Sequence, residues 1–457
     1  MDSVSELRAL TGGTYPLIYV VLIFLASFYF SRKVEKPVVM FPIIFWLLGQ
    51  PVLDAYYTIE IPGLPFKFHS SRILFLYLFC LLPFVSQKKG GGDNGVVRDK
   101  RKVPFEKYIV IFIGLVIFAL VLNRDALDMK RILAIPLECI TFFLLYLIFK
   151  KIITEKILFV IFQVIIFMAV INALIAVIQL VDPFFLRTGL PRIAFGSLYR
   201  SFGAFSSEYI FGGFQTIALF VVVSYMKKSW AKMSFILLMC FSIFITFHRM
   251  GLIILMVCTF LYIYKFTKKG IGVPHVLVIL FLTISIYPAY TIFSSFGESQ
   301  LVKERLLNDT VSGRFAQFGL VIREMAHYPL GLGSEDNVIY QKIMIKHGHT
   351  KSEIGKDGKY HDVGLPVHNG FLSVGIMYGI SAMFIFTLLL SSMWKYFYKR
   401  ASKENIITVI PVISVMVWGL ANLSNGIIVF RAYNVLIIAM LVGAFVGAYK
   451  KGIIKSN

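Results

Sequence analysis

The chain has 457 residues, enough for two or three water-soluble domains, yet 58% are apolar, only 15% are charged and the mean hydropathy is +0.78. Soluble domains average roughly 45–50% apolar and about 25% charged residues, so a string of soluble domains is excluded. A formal net charge of +22 would suggest nucleic acid in a soluble protein; in a membrane protein the alternative is loop charge that sets orientation.

A membrane span needs about 20 apolar residues, fewer if its ends are interfacial. Thirteen segments meet that criterion: 15–31, 38–55, 72–86, 108–122, 132–149, 157–182, 207–226, 234–247, 251–267, 273–293, 369–394, 406–423 and 433–449. Two of them are separated only by His248-Arg249-Met250, which requires a hairpin at one membrane face. The residues before the first run carry two acids and one Arg, which does not read as a cleavable leader. Cys80, Cys139, Cys240 and Cys258 all lie inside apolar runs without metal-ligand spacing and read as packing residues.

Every second connection is rich in Lys: Arg32 to Lys36, Lys88 to Lys107, Lys150 to Lys156, Lys227 to Lys232, Lys265 to Lys269, Lys395 to Lys403 and Lys450 to Lys455. These clusters fall in phase with thirteen spans, and by the positive-inside rule their side is cytoplasmic, with the N-terminus outside. Inside, 4 of 26 basic residues are Arg; outside, 12 of 20 are. Orientation does not ask for that switch, since Lys and Arg serve it equally. Arg supplies a planar, permanently charged fork for phosphate or carboxylate. The plainer reading is Arg snorkelling to lipid head groups.

The longest outer stretch, Phe293 to Val367, carries nine basic and nine acidic residues. Its helical character over 301–345 and a polar, hairpin-like piece around 355–364 point to a folded cap. The expected fold is an all-α integral membrane protein, a polytopic bundle of 12–13 transmembrane helices. Its expected parts are an N-terminal bundle (1–293), a long periplasmic loop with catalytic elements (294–367) and C-terminal transmembrane helices (368–457).

Four polar constellations lie on the outer side: Arg200-Ser201-Phe202-Gly203 running to Ser207-Glu208; His248-Arg249; Ser312-Gly313-Arg314 followed by His327-Tyr328-Pro329-Leu330-Gly331-Leu332-Gly333; and His368-Asn369 opening a span. In this order they resemble the O-antigen polymerase and O-antigen ligase superfamily, membrane glycosyltransferases of the GT-C type. The resemblance covers about residues 190–390 and rests on the ordered set, since Gly-x-Gly alone is weak. There are departures. His248 stands where a Ser commonly precedes the second Arg, Phe315 and Phe318 stand in for an aromatic that is often Trp, and His327 is displaced by one from the Pro. Ser207-Glu208 is closer to the polymerase variant of the first element.

The resemblance implies transfer of a glycan from undecaprenyl diphosphate to an acceptor sugar hydroxyl on the periplasmic face of a bacterial inner membrane, with inversion at the anomeric carbon. As the lipid diphosphate leaves, negative charge grows on its bridging oxygen. Forks at Arg200, Arg249 and Arg314 could hold it without a metal or other cofactor. For each Arg the alternative is an ion pair with an outer acid such as Glu208, Glu324 or Asp362. His368 is the first choice of base, because a helix N-terminus favours neutral imidazole; its alternative, shared with Asn369, is simple helix capping. Glu208 is the second choice, against pairing with Arg200. His327, Tyr328, Asn369, Gly331 and Gly333 are supporting residues, the glycines through a turn that brings the loop to the bilayer or a backbone anion nest. The implied partners are the lipid-linked donor, a lipid-linked glycan or lipid A-core acceptor, membrane lipids and a chain-length regulator, with no nucleic acid. A transporter or flippase is the alternative of a different class, but it would place charges at mid-span, where Asp54 and Glu138 are the main candidates.

Overall fold

The computed structural model describes residues 14–57, 69–86, 103–187, 193–195, 198–266, 309–354, 360–424 and 433–454. Apolar runs become helices because a bilayer offers no partner for backbone N–H and C=O groups. In chain order they are α1 (Thr14–Ser31), α2 (Pro37–Tyr56), α3 (Ser70–Ser86), α4 (Glu106–Leu122), α5 (Met129–Ile152), α6 (Glu155–Ile178), α7 (Glu208–Tyr225), α8 (Trp230–Phe244) and α9 (Arg249–Phe266). After these come α10 (Asp309–His327), α11 (Val338–Lys346), α12 (Gly370–Tyr378), α13 (Ile380–Arg400), α14 (Val409–Ser424) and α15 (Tyr433–Lys450). Seven of the described helices are long and apolar enough to cross a membrane unaided, and several shorter apolar ones accompany them. The chain is an all-α, multi-pass membrane protein. The expected span at 273–293 lies outside the described residues.

One predicted span needs correction. The run 369–394 is two helices, α12 and α13, broken at Gly379, whose φ of +94° is a conformation that L side chains rarely adopt. Hydropathy cannot register such a break, because the residues on both sides are equally apolar.

Helix α15 is almost wholly buried and lies against α5. Gly443 and Gly447, four residues apart, allow that closeness, since a Cβ at either would collide with the carbonyls of Tyr146 or Lys150. By contrast α1 exposes Leu17, Val21, Phe24, Leu25 and Phe28, the pattern of a lipid-facing helix. At the Lys-rich end, Lys150 pairs with Glu106. There Lys232 Nζ donates to the carbonyls of Val223 (2.7 Å) and Met226 (3.0 Å), and Lys451 Nζ to those of Lys151 (2.7 Å) and Ile153 (2.8 Å). These carbonyls belong to helix C-termini, whose orphan acceptors and negative dipole end suit an ammonium group.

The opposite end carries the cap. Helices α10 and α11 are followed by an antiparallel hairpin, β1 (Thr350–Ile354) and β2 (Tyr360–Gly364), where the polar hairpin-like piece was expected. Leu320, Val321, Met325, Leu332, Tyr340, Met344 and Val367 form a small second core that takes in Ile376 and Met377 of α12. Arg131, near the start of α5, adds an ion pair to Asp336 at 2.5 Å.

Candidate active site at the arginine-bearing end

The loop before α7 is held by amide side chains from the end of α6. Asn172 Oδ1 accepts from the Ala204 N–H (3.0 Å), and Gln179 Oε1 accepts from the Phe202 N–H (3.1 Å) while its Nε2 donates to the Gly203 carbonyl (2.8 Å). Gly203 is left-handed (φ +61°), and a Cβ there would come within 2.8 Å of the Asn172 carbonyl oxygen. The glycine of the first motif is therefore demanded by a turn that packs on α6. This turn aims Arg200 at Glu208, the first residue of α7: Arg200 Nη1 donates to Glu208 Oε1 at 2.8 Å, and Glu208 is only 3% exposed. The pairing weighed as the plain alternative for both residues is thus present in the structure. The Arg200 side chain is 32% exposed, so solvent screens the pair and it is worth less than a fully buried one.

Arg187, which sequence reasoning missed, is fully buried beside this pair. Its Nη2 donates to the Arg200 carbonyl (2.5 Å), and its guanidinium lies 4.3 Å from the Phe202 ring centroid. Burial pushes the group down to about 10, opposed by the charge of Glu208 and by Tyr199. It remains charged at neutral pH. Arg187 Nε and Nη1, Arg200 Nε, Ser201 Oγ and Ser207 Oγ are buried atoms without a hydrogen-bond partner. Buried polar groups are rarely left so, and a cluster of them asks for an explanation such as an ion or ligand. The one sequence signal for this scaffold was the seven-residue spacing of Asn172 and Gln179 in an otherwise apolar run, which puts both on one helix face.

The second constellation stands next to the first. Phe247 is left-handed (φ +50°) at the hairpin between α8 and α9. His248 Nδ1 accepts the Gly251 N–H (3.3 Å), so this histidine acts as the helix cap. Its ring is 6.2 Å from that of Tyr209, the neighbour of Glu208, while Gly212 and Gly251 let α7 and α9 meet closely. Arg249 is exposed at the start of α9.

His368 and Asn369 precede α12. Asn369 is its cap, with Oδ1 accepting from the N–H groups of Phe371 (3.0 Å) and Leu372 (3.1 Å) and Nδ2 donating to the Leu423 carbonyl (3.3 Å). His368 is half-buried one residue earlier, and its N–H reaches Gln317 Oε1 of α10 at 3.4 Å. Gln317, also missed, donates to the Pro366 carbonyl (3.2 Å) and so ties α10 to the His368 segment. Arg314 lies on α10 one turn before Gln317; its side chain is outside the described residues.

The glycine pair is explained by backbone docking. Gly331 (φ +85°) and Gly333 (φ +80°) lay the 331–333 segment along the break between α12 and α13. Leu332 N–H donates to the Ile376 carbonyl (2.9 Å), Gly333 N–H to that of Met377 (2.6 Å), and Ile380 N–H to that of Pro329 (3.0 Å). The carbonyls freed by the helix break are thereby satisfied, and the N–H groups of residues 332 and 333 are taken up by them. Tyr328 packs on the second core, and His327 is exposed at the end of α10. Among the described residues no three of His, Cys, Asp and Glu lie close enough to share a metal ion.

The fold and this cluster define a multi-pass membrane protein whose polar machinery sits at one end of the bundle. Residues 234–387 match the family model described as O-antigen ligase. The match supports the likeness to the O-antigen ligase and polymerase superfamily that the motif order implies. It includes Arg249, Arg314, Gly331, Gly333, His368 and Asn369, whereas Arg187, Arg200 and Glu208 lie upstream of it. Members of that family are glycosyltransferase-like enzymes that act on lipid-linked glycans. No curated protein matches the chain.

Proposed function

We propose that the protein is an inner-membrane glycosyltransferase that polymerises glycan repeat units on the periplasmic face. In this reading it transfers the glycan, with inversion and without a metal, from undecaprenyl diphosphate to the sugar hydroxyl of a second lipid-linked unit. The observation that supports it most is that the Arg200–Glu208 pair, the His248-Arg249 hairpin and the His368-Asn369 helix start all fall at the same end of the bundle. Arg200, Arg249 and Arg314 bind the diphosphate and take up the negative charge that grows as the C1–O bond breaks. His368 accepts the proton of the attacking hydroxyl. Glu208 is occupied with holding Arg200, which leaves His368 as the favoured base.

The alternative acceptor is lipid A-core, as in a ligase, and the description of the matching family model favours it. The Ser207-Glu208 variant and the mixed-charge cap favour polymerisation. Surface glycan from a deletion strain separates the two: core with a single repeat indicates the polymerase, bare core with accumulated lipid-linked polymer the ligase. In the complemented strain, His368→Ala is expected to abolish product while the protein still reaches the membrane. Full-length glycan ladders from that variant would remove His368 from the mechanism.

A further inference from the structure

The cap carries a cleft that the proposed transfer step does not use. Its volume is about 290 Å³, and it is lined by Ala316, Gly319, Leu320 and Arg323 of α10 and by His347 and His349, which follow α11. The four α10 residues recur at the three- and four-residue spacing of one helix face. Gly319 leaves the cleft open, with no atom within 4 Å of where a Cβ would stand. Leu320 also belongs to the second core, which fixes α10 beneath the cleft. The main chain that carries the imidazoles is itself held. His347 N–H donates to the Ile343 carbonyl (3.3 Å), His349 N–H to that of Met344 (2.9 Å), and the His349 carbonyl accepts from Leu365 N–H (2.8 Å).

The chemistry of this lining is one-sided. None of the six residues is acidic, and none is Phe, Tyr or Trp, the rings on which the apolar face of a neutral sugar would stack. Arg323 instead offers a guanidinium fork, and its contact with Glu324 is 3.7 Å, longer than a hydrogen bond. Each neutral imidazole adds one donor and one acceptor nitrogen, which suit hydroxyl groups. A carboxylate matches the fork and hydroxyls match the imidazoles; a sugar acid carries both. The cleft also stands near the proposed chemistry, since Arg323 is about 9 Å along α10 from Gln317, which ties that helix to the His368 segment. We infer that the cleft binds a carboxylate-bearing sugar of the lipid-linked glycan, with Arg323 on the carboxylate and His347 and His349 on hydroxyls. That assignment rests on the glycosyltransferase reading above and names the class of glycan it acts on.

The test is an NMR titration of the full-length protein in detergent with digalacturonate, with maltose as the neutral probe and inorganic phosphate as a competing anion. Digalacturonate is expected to bind at least about tenfold more tightly than maltose, through a charge-assisted fork that maltose cannot use. Arg323→Gln is expected to weaken that binding by about 3–10-fold, because solvent partly screens an exposed guanidinium. Gly319→Leu places a side chain in open space and is expected to abolish binding without lowering the Tm. Wild-type protein that binds no digalacturonate, or binds maltose equally well, overturns the inference, and so does full binding by either variant. Displacement of digalacturonate by phosphate at equal concentration would mark a site for phosphate, free or on a lipid head group, and would also overturn it. Glycan transfer from the native lipid-linked donor is measured alongside. Both variants should raise the glycan KM and retain kcat, as expected when binding common to ground and transition states is lost. Selective digalacturonate binding by a protein that transfers no glycan would remove the glycosyltransferase reading and leave the acidic-sugar site standing. Transfer without such binding would remove the acidic-sugar site alone.

Discussion

At the Lys-rich end of the bundle, Lys232 and Lys451 spend their N–H donors on carbonyls at helix C-termini, and Lys150 on Glu106. At the other end, Arg200 pairs with the buried carboxylate of Glu208, Arg187 donates to the Arg200 carbonyl, and both arginines retain nitrogens with no acceptor. Both ends are cationic, but the first set is consumed by the protein's own backbone and the second is not. The lesson is that cation number reports orientation, whereas unfilled, buried donors mark where an external anion is expected.

The largest test of that contrast is Arg200→Lys. Charge is kept but the fork is lost, and glycan transfer by purified protein is expected to fall by about 10²–10³-fold. Wild-type turnover would mean that a point charge suffices and that the two ends differ less than proposed. Next in size is Gly331→Ala, which brings a Cβ against the Met377 carbonyl at a positive φ. It is expected to cost about 2–4 kcal/mol, read as a lower Tm in detergent and easier proteolysis of the cap; an unchanged Tm would show that the cap does not hang on this contact.

Lys232→Met samples the opposite end. It should cost about 0.5–1 kcal/mol and leave transfer unchanged, since only helix-end carbonyls lose a partner. The smallest effect concerns His349 in the cap, whose imidazole burial and then neighbouring His347 hold below its ordinary value. The folded cap thus binds fewer protons than the unfolded chain as pH falls through about 6.5. Stability is full above that pH and declines below it, and His349→Asn should flatten this part of a Tm-against-pH curve.

Much of the fold was legible in the sequence because a bilayer makes hydropathy nearly sufficient. The runs at 132–149 and 433–449 became helices, that at 157–182 a helix ending at Ile178, and the polar piece expected around 355–364 falls in a hairpin that begins at Thr350. What hydropathy cannot see is backbone geometry: the break at Gly379 and the glycine contacts of α15 with α5 interrupt no apolar run. The candidate site was proposed from motifs, at Arg200, Arg249 and His368. Arg187, Asn172, Gln179 and Gln317 carry no motif, and their importance comes from burial and from which N–H groups they meet after folding. Gly331 and Gly333 drew notice as a motif, yet their φ values and bonds serve the docking of the cap.

The claim that a lipid diphosphate is used at the Arg-bearing end is tested most directly along one helix. Tyr209 and Tyr225 lie near opposite ends of α7, the first beside Glu208 and His248, the second in contact with Gln163 Nε2 (3.1 Å). Each is replaced in turn by a photoreactive phenylalanine analogue and irradiated with radiolabelled glycan on undecaprenyl diphosphate. Label is expected at position 209 and not at 225. Capture at 225, or equally at both, would contradict it.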